Sequence, residues 1–426
     1  MELYILFGTL FTLLILGVPV AFSLGLASLA TMFYLDIPMV VAFQRMAAGV
    51  NVFALMAIPF FIYAGELMNQ SGIADRLVRF AHSLLARVRG GLGLVNVASS
   101  MMFGAISGSA VASASAMGSA LIPIMKKEGY DLDYAVNVTA TSATTGLLIP
   151  PSHNMIIYAI AAGGGVSISS LFLAGILPGA ILGLALMLVT YLVAVKRGYA
   201  GGTFPGWRKV LSYFAHALPG LFSAFIILGG ILSGVFTATE SSAIAVIYTI
   251  IIAVFVYRSL DWQGFVTASV NAVKTTAMVL MIIAAAAAFG WLLAVTEVPA
   301  QLSETLLSIS DNPLVILLIV NLILLMLGTF MDMSPLIIIT TPIFLPVMTG
   351  IGMDPVQFGI MLILNLGIGL ITPPVGSVLF VGCAVGGIRI EDTIRTIWPF
   401  YLAFVFVLAL VTYLPATTLF LPGLFS

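Results

Sequence analysis

Apolar stretches long enough to cross a lipid bilayer recur along this whole chain. Clear examples are residues 3–34, 171–195 and 399–421, and a membrane-spanning helix needs about 20 such residues. Of the 426 residues, 61% are hydrophobic and only 7% are charged, whereas a soluble domain carries about 25% charged residues. We therefore expect an all-α polytopic membrane protein without a separate soluble domain.

The remaining composition excludes several other classes of protein. The single cysteine, Cys383, rules out a disulfide within the chain and a cysteine-based metal cluster. A formal net charge of −1 gives no electrostatic reason to expect a nucleic acid as a partner. The first apolar stretch has only Glu2 as an early charge and is too long for a cleaved signal. We interpret it as a membrane helix broken near residues 17–19.

The sequence contains two copies of one unit. Pro123 in Leu-Ile-Pro-Ile-Met aligns with Pro346 in Phe-Leu-Pro-Val-Met (346 − 123 = 223), and Pro150 aligns with Pro373 (373 − 150 = 223). Matching segments at a constant offset indicate an internal repeat. The two copies extend over residues 12–175 and 237–400.

The basic residues of the two copies lie in opposite loops. In the second copy no Lys or Arg occurs between Lys274 and Arg389, and the basic residues Arg389 and Arg395 follow the proline pair. The first copy has none in the matching stretch 162–170, but carries Arg76, Arg79, Arg87, Arg89, Lys126 and Lys127 further upstream. Because cytoplasmic loops collect Lys and Arg, this pattern predicts two inverted-topology repeats, which many secondary transporters contain.

Two segments interrupted by glycine and proline are too long for one membrane pass. Residues 91–126 are flanked by Arg89 and Lys126, so both ends should lie in the cytoplasm. We predict a re-entrant helical hairpin that turns near residues 107–109. Its repeat mate, 313–350, should enter from the other side and turn near residues 330–335. Non-helical backbone at such depth is tolerated only where protein or a water-filled cavity surrounds it.

Two further segments should be transmembrane helices broken by tandem prolines. The predicted broken helices are 133–163, with Pro150 and Pro151, and 356–386, with Pro373 and Pro374. Each proline pair removes two N–H donors, which leaves carbonyls of the preceding turn in need of another partner. A bound cation is one such partner. Interrupted segments at corresponding places in two repeats indicate the binding site of a transporter.

These segments define the expected organisation of the chain. Residues 1–50 form a scaffold helix and a first arm helix, 51–170 the first inverted repeat, and 171–235 connecting helices with a cytoplasmic linker. Residues 236–274 form a scaffold helix and a second arm helix, 275–390 the second inverted repeat, and 391–426 a C-terminal helix. The arm helices, 36–46 and 261–271, should lie at opposite membrane faces, the second of them cytoplasmic because Arg258 and Lys274 flank it.

Oxygen atoms at the hairpin tips and helix breaks suit a hard monovalent cation such as Na⁺. A first, neutral site is predicted from Ser107, Gly108, Ser109, Thr145, Gly146 and Pro150. A second site is predicted from Gly328, Met331, Asp332, Gly369, Thr372 and Pro373. A carboxylate inside the membrane is a functional candidate by default, and Asp332 aligns with Ser109 (332 − 109 = 223). We expect Glu66 at the membrane interface and Glu240 as a helix-start charge.

The half-helices that follow the breaks direct their positive N-terminal ends at the centre of the protein, which favours an anionic substrate. The predicted substrate contacts are Ser109, Ser152, His153, Asn154, Pro374 and Gly376. Bound cations would attract the same anion and so couple the two fluxes. No cofactor is expected besides Na⁺ as the coupling ion.

Four motifs resemble the large membrane (M) subunit of the tripartite ATP-independent periplasmic (TRAP) transporters. They are Gly104-Ala-Ile-Ser-Gly-Ser109, Gly146-Leu-Leu-Ile-Pro-Pro-Ser152, Gly328-Thr-Phe-Met-Asp332 and Ile371-Thr-Pro-Pro-Val-Gly376. The resemblance covers essentially the whole chain. It implies sodium-coupled uptake of an organic acid across the bacterial inner membrane by an elevator mechanism. It also implies a periplasmic solute-binding protein and a small four-helix membrane subunit, here a separate polypeptide. Sialic acid or another sugar acid is slightly favoured as substrate, with a C4-dicarboxylate next.

Two alternatives to this function are an intramembrane protease and a standalone symporter. An intramembrane aspartyl protease needs two carboxylates that meet, but the repeat mate of Asp332 is a serine, and a serine protease needs a paired base for a unique nucleophile. The chain is therefore predicted not to be an enzyme. A standalone sodium/anion symporter that works without a binding protein remains the alternative.

Overall fold

The computed structural model describes residues 1–310 and 312–425, which are helical and contain no β-strand. The first half contains α1 (Glu2–Ile15), α2 (Val20–Tyr34), α3 (Val40–Val50), α4 (Ala57–Gln70), α5 (Ile73–Leu85), α6 (Gly91–Ser107), α7 (Ala110–Lys127), α8 (Leu132–Ala143), α9 (His153–Ala161) and α10 (Ile168–Lys196). The second half contains α11 (Trp207–Leu232), α12 (Ala238–Ile251), α13 (Trp262–Val295), α14 (Val298–Ile309), α15 (Pro313–Phe330), α16 (Met333–Gly350), α17 (Pro355–Gly369), α18 (Ser377–Gly386), α19 (Ile390–Ile394), α20 (Trp398–Tyr413) and α21 (Ala416–Phe425).

Several of these helices are long and apolar enough to span a membrane. Among the described residues there are six such helices, or up to eight if each of two bent helix pairs counts as one span. The prediction of an all-α polytopic membrane protein is thereby confirmed.

The two halves contain corresponding elements in the same order. Helices α6 and α7 are separated by Gly108 and Ser109, and α15 and α16 by Met331 and Asp332. The helices after these turns begin at residues 110 and 333 (333 − 110 = 223), and the next helices begin at 132 and 355 (355 − 132 = 223). The helix boundaries thus follow the same offset as the sequence motifs.

The helix that follows each break packs against the other half of the protein. Helix α9 contacts α16 and α17, and α18 contacts α7 and α8. The Tyr158 hydroxyl on α9 donates to the Pro355 carbonyl at 2.5 Å, and its ring meets Phe358 edge-on. Gly382 and Gly386 on α18 both lie against Val136 of α8. The two broken helices are therefore packed into one helical bundle formed by both halves of the chain.

Buried amides fasten each hairpin to the broken helix of its own half. The Asn96 amide on α6 donates to the Thr139 hydroxyl on α8 at 2.6 Å. In the second half, the Asn365 amide on α17 donates to Asn321 Oδ1 on α15 at 2.8 Å. Asn96 and Asn321 occupy corresponding positions, 225 residues apart (321 − 96 = 225). Hydrogen bonds between helices of a membrane protein are worth about 0.6 kcal/mol on average, so these bonds chiefly fix the register of the packed helices.

The N-terminal segment differs from the single broken helix predicted for it. Helices α1 and α2 pack side by side instead of continuing in one direction. The chain reverses at Gly17, whose φ of 79° lies in the left-handed region, and Pro19 then precedes the first residue of α2. Glycine adopts this backbone conformation without steric cost, which explains why the reversal occurs here.

The two predicted arm helices also differ from each other. The first is α3, which begins at Val40 and bends by 63° into the following segment 53–70. The predicted second arm, residues 261–271, is instead the first part of α13, a continuous helix of 34 residues. No glycine or proline occurs between Phe265 and Phe289, whereas Gly49 and Pro59 flank the bend in the first half. Helix-breaking residues thus account for the difference.

The C-terminal segment was predicted as one helix over 391–426, which is wrong. It consists of the short helix α19 followed by α20 and α21, which are bent by 56° relative to each other. Pro415 follows Leu414, whose backbone is extended (φ −120°, ψ 90°). A residue before proline is disfavoured in the α conformation, so the helix ends there.

A charge cluster fastens the end of α10 to the start of α8. The Arg197 guanidinium donates to both Asp133 oxygens at 2.8 and 2.7 Å and to Asp131 at 2.9 Å. The Tyr199 hydroxyl donates to Asp131 at 2.7 Å. A planar guanidinium matches a carboxylate in this two-pronged geometry, which makes the pair stronger than a single ion contact.

We expect Arg197→Ala to lower the free energy of unfolding by about 2 kcal/mol, because Asp133 would remain partly buried without its partner. The thermal unfolding midpoint of the detergent-purified protein measures this effect. Arg208→Ala removes the same charge from an exposed position near the start of α11 and should leave the midpoint unchanged. Equal midpoints for the two variants would show that the cluster does not contribute to stability.

Candidate cation and substrate site

Each hairpin meets a broken helix at a pair of glycines. A Cβ atom on Gly146 would lie 2.6 Å from the Gly104 Cα, and one on Gly369 would lie 2.7 Å from the Gly328 Cα. Real Cβ atoms do not approach other atoms so closely. The backbones at these crossings are therefore in direct contact, which brings the predicted residues of each cation site together.

The first hairpin tip lies against the first break. Gly108 adopts a left-handed φ of 61°, and a Cβ at this position would lie 2.7 Å from the Pro151 carbonyl oxygen. Ser109 caps α7, since its hydroxyl accepts the Ala112 N–H at 3.3 Å. The His153 ring is partly buried against the backbone of Gly108. The structure thus places the predicted Ser107–Ser109 group beside the Ser152–Asn154 group.

The carbonyls that precede the first break are largely free. No N–H or O–H among the described residues donates to the carbonyls of Gly146, Leu147 or Leu148. Thr145 is fully buried, and its hydroxyl donates to the Ser142 carbonyl at 2.6 Å, which leaves the oxygen lone pairs available. A buried polar group without a partner costs free energy, so this turn favours a cation as an additional partner.

The second break has protein partners for its carbonyls, which differs from the expectation. Ile368, Gly369 and Leu370 accept backbone N–H groups, and Ile371 accepts the Tyr401 hydroxyl at 2.7 Å. The Thr372 hydroxyl also donates to Ile368 at 2.7 Å. Other N–H and O–H groups of the chain thus replace the donors that the proline pair lacks. Among the described residues, only the first break has carbonyls left for a cation.

Asp332 supplies the charge at the second hairpin tip. It directly precedes α16, is exposed, and lines a largely apolar cavity of about 610 Å³ between this tip and the turn at residues 17–19. The Thr329 carbonyl accepts the Val375 N–H at 3.1 Å, which attaches the tip to the second break. Met331 forms the extended turn of this hairpin. Pro374 is exposed in the second break, and Gly376 is buried with a φ of 37°.

A hydrogen bond beside the first break links the two halves of the protein. The Ser334 hydroxyl on α16 donates to Asn154 Oδ1 on α9 at 3.3 Å, and both side chains are buried. Near the hairpins and breaks, the buried hydroxyls of Ser113 and Ser152 have no hydrogen-bond partner among the described residues, and that of Ser377 has only the nearby Asp332 carboxylate. A buried hydroxyl without a partner, such as that of Ser152 at the first break, is a group that a polar ligand would satisfy.

Sequence reasoning did not select Ser377. Its hydroxyl lies near the Asp332 carboxylate at the start of α18. The repeat could have indicated this residue, because Ser377 is the repeat mate of Asn154 (377 − 154 = 223).

The prediction that Glu240 is a helix-start charge is confirmed, since Glu240 forms a reciprocal capping box with Thr237 at the start of α12.

The fold is similar to that of a solved membrane transporter. The YdaH transporter of Alcanivorax borkumensis matches with a TM-score of 0.61 over 90% of this chain and 88% of that one, at 14% sequence identity. At this identity the likeness concerns the fold alone. Together with its hairpins, interrupted helices and long apolar helices, this likeness defines the class of fold: a multi-pass helical membrane protein.

Residues 7–417 match the family model described as tripartite ATP-independent periplasmic transporter, DctM component. The chain therefore belongs to the large permeases of the TRAP transporters, as the four motifs indicated. The family's own description makes it one component of a three-part system.

Curated relatives cover nearly the whole chain. It is 45% identical over 425 residues to the uncharacterized protein YgiK of Salmonella typhimurium, covering 99% of this chain and 97% of that one. It is 41% identical over 414 residues to the sialic acid TRAP transporter large permease protein SiaM of Vibrio cholerae, covering 97% and 96%. It is 36% identical over 437 residues to the C4-dicarboxylate TRAP transporter large permease protein DctM of Rhodobacter capsulatus, covering 100% and 99%. The last two of these relatives carry functional names, and both are named as permeases.

Proposed function

We propose that this chain carries an organic acid across the bacterial inner membrane and couples its uptake to the entry of Na⁺. The observation that supports this most directly is the meeting of two hairpin tips with two interrupted helices inside one helical body. Such interruptions in the core of a membrane protein expose backbone and hydroxyl oxygen to a bound ligand. A bundle of uninterrupted helices would offer none of these groups.

The two cation sites differ in charge. The first combines neutral oxygen atoms from the Ser107–Ser109 tip with the free carbonyls that follow Thr145. The second combines Asp332 with Thr372 and the glycine crossing of Gly328 and Gly369. A neutral oxygen site discriminates against divalent ions, because their larger desolvation cost would not be offset. Sodium is thus the coupling ion that this chemistry favours.

We place the substrate at the breaks, against Ser152 and Asn154 at the first and Ser377 at the second. Helices α9 and α18 begin there, and helix N-termini attract anions. Unpaired hydroxyls suit a substrate that carries hydroxyl groups as well as a carboxylate. A sugar acid such as sialic acid is therefore slightly favoured over a C4-dicarboxylate. The sialic acid permease of Vibrio cholerae is 41% identical to this chain, and two C4-dicarboxylate permeases are 36% and 40% identical to it.

The architecture behind this function is a pair of inverted-topology repeats that moves as an elevator. The equal helix offsets and the reciprocal packing of α9 and α18 support one rigid transport body built from both halves. Cysteines introduced at Lys126 and Thr349, the corresponding hairpin ends, should react with impermeant reagents from opposite sides of the membrane. Labelling from the same side would exclude the inverted arrangement.

The partners proposed are a small four-helix membrane subunit and a periplasmic solute-binding protein, in line with the three-part description of the family. In proteoliposomes with a sodium gradient, uptake of sialic acid should require both partners together with this chain. Uptake of the same acid by this chain alone would instead favour a standalone sodium/anion symporter.

Ser152→Ala should raise the substrate KM several-fold while the thermal midpoint stays unchanged, because the lost hydroxyl has no partner within the described protein. Uptake kinetics at saturating Na⁺ measure this effect. Ser241→Ala is the matched control, since it removes another buried and unpaired hydroxyl, on α12 instead of at a break. An unchanged KM in Ser152→Ala would remove this residue from the substrate site.

A further inference from the structure

A polar pocket of about 410 Å³ lies where α5, α11 and the segment between α12 and α13 meet. None of its lining residues belongs to the cation or substrate sites. The side chains that matter for its chemistry are two arginines, a histidine, a tyrosine and one acid: Arg76, Arg79, His216, Tyr213 and Asp75. The transport function leaves this pocket without a role.

One wall of the pocket is held rigidly in place. Arg76 Nη1 donates to the Ser71 and Gly72 carbonyls at 3.2 and 2.8 Å, and its guanidinium lies 3.8 Å from the centre of the Tyr257 ring. The Tyr257 hydroxyl in turn donates to the His216 carbonyl at 2.9 Å. These contacts join α5, α11 and the end of the α12 segment, so the pocket exists before any ligand binds.

Several donors in the pocket remain available. Arg79 is exposed and forms no ion pair with any described residue, and neither arginine pairs with Asp75. His216 Nδ1 donates to the Ser212 carbonyl at 2.7 Å and is thereby engaged, so the N–H groups of Arg79 are the donors that face a ligand. The planar guanidinium fork of Arg79 matches the oxygen geometry of a phosphate group.

Flanking residues place the pocket at the surface of the membrane. Trp207 and Trp262 are the first residues of α11 and α13 and are 75% and 77% exposed. Exposed tryptophans collect at the level of the lipid headgroups, and Lys and Arg collect on the cytoplasmic side. Further basic residues lie near the pocket, with Arg208 and Lys209 in the first turn of α11 and Arg258 shortly before α13. Basic pockets between membrane helices on the cytoplasmic side bind phospholipid headgroups.

We propose that this pocket binds the phosphate group of an anionic phospholipid of the cytoplasmic leaflet. Full-length protein, delipidated in detergent, would be titrated with phosphatidylglycerol, phosphatidylcholine, glycerol 3-phosphate and inorganic phosphate. Because a ligand stabilises the state that it binds, phosphatidylglycerol should raise the thermal unfolding midpoint by several degrees more than phosphatidylcholine.

Arg79→Gln should lose at least half of this difference between the two lipids. Arg395→Gln removes the same charge at an exposed position that does not line the pocket and should keep the difference in full. Ser212→Asp, which adds an acid at the exposed rim, is an independent second variant and should abolish it. An equal effect of both lipids on the wild type, or a full difference in Arg79→Gln and Ser212→Asp, would overturn the proposal. A rise of the same size with inorganic phosphate or glycerol 3-phosphate would overturn the assignment to a lipid.

Discussion

Replacing Gly146 with alanine is expected to reduce sodium-driven uptake by roughly tenfold or more. A displacement of about 1 Å between groups that act together can lower a rate by about 100-fold. The added Cβ would lie 2.6 Å from the Gly104 Cα, and a backbone atom cannot move aside as a flexible side chain can. The first hairpin would have to separate from the first break. Since the two elements supply different members of the first cation site, the site would lose its geometry.

The matched control for this variant is Gly290→Ala on α13, where no atom lies within 4 Å of the new Cβ. Uptake would be measured in proteoliposomes and normalised to the amount of inserted protein. Gly369→Ala, the repeat mate of the first variant, should behave like Gly146→Ala. Wild-type uptake in Gly146→Ala would show that the close crossing is not needed for transport.

Asp332→Asn is expected to weaken Na⁺ binding by roughly tenfold or more, because a unit charge at 4 Å in surroundings of intermediate polarity contributes about 4 kcal/mol. The amide keeps the shape of the side chain but removes the only charge among the residues of the second cation site. The rise in unfolding midpoint on replacing choline chloride with NaCl reports this binding directly. It requires no knowledge of the transported acid.

Asp392→Asn makes the same chemical change at an exposed position on α19 and should keep the full response to Na⁺. Ser109→Ala should reduce the response less, because it removes one neutral oxygen from the first site. If both Asp332→Asn and Ser109→Ala respond to Na⁺ like the wild type, the assignment of the two cation sites is wrong.

The sequence predicted the interruptions of the fold well because they depend on local chemistry. Gly108 and the pairs Pro150–Pro151 and Pro373–Pro374 break helices through their own backbone properties. The helices of the structure end or begin within a few residues of each. The close contact of tips and breaks also followed, because glycines at the two crossings allow backbones to touch.

Features that depend on distant partners could not be predicted in the same way. The side-by-side packing of α1 and α2 and the continuity of α13 are decided by neighbouring helices and by the absence of breakers over a long stretch. The Tyr401 hydroxyl, which replaces a donor at the second break, lies 30 residues beyond its partner Ile371. No local pattern marks such a tyrosine.

The bond between Asn154 and Ser334 also has a consequence for biosynthesis, since 180 residues separate its two ends. At roughly 5–20 residues per second, the ribosome needs on the order of ten to forty seconds to produce the serine after the asparagine. During this interval α9 already exists, but the helices that will cover it do not. Lipid or the insertion machinery must therefore shield an unpaired amide until the second half of the chain arrives.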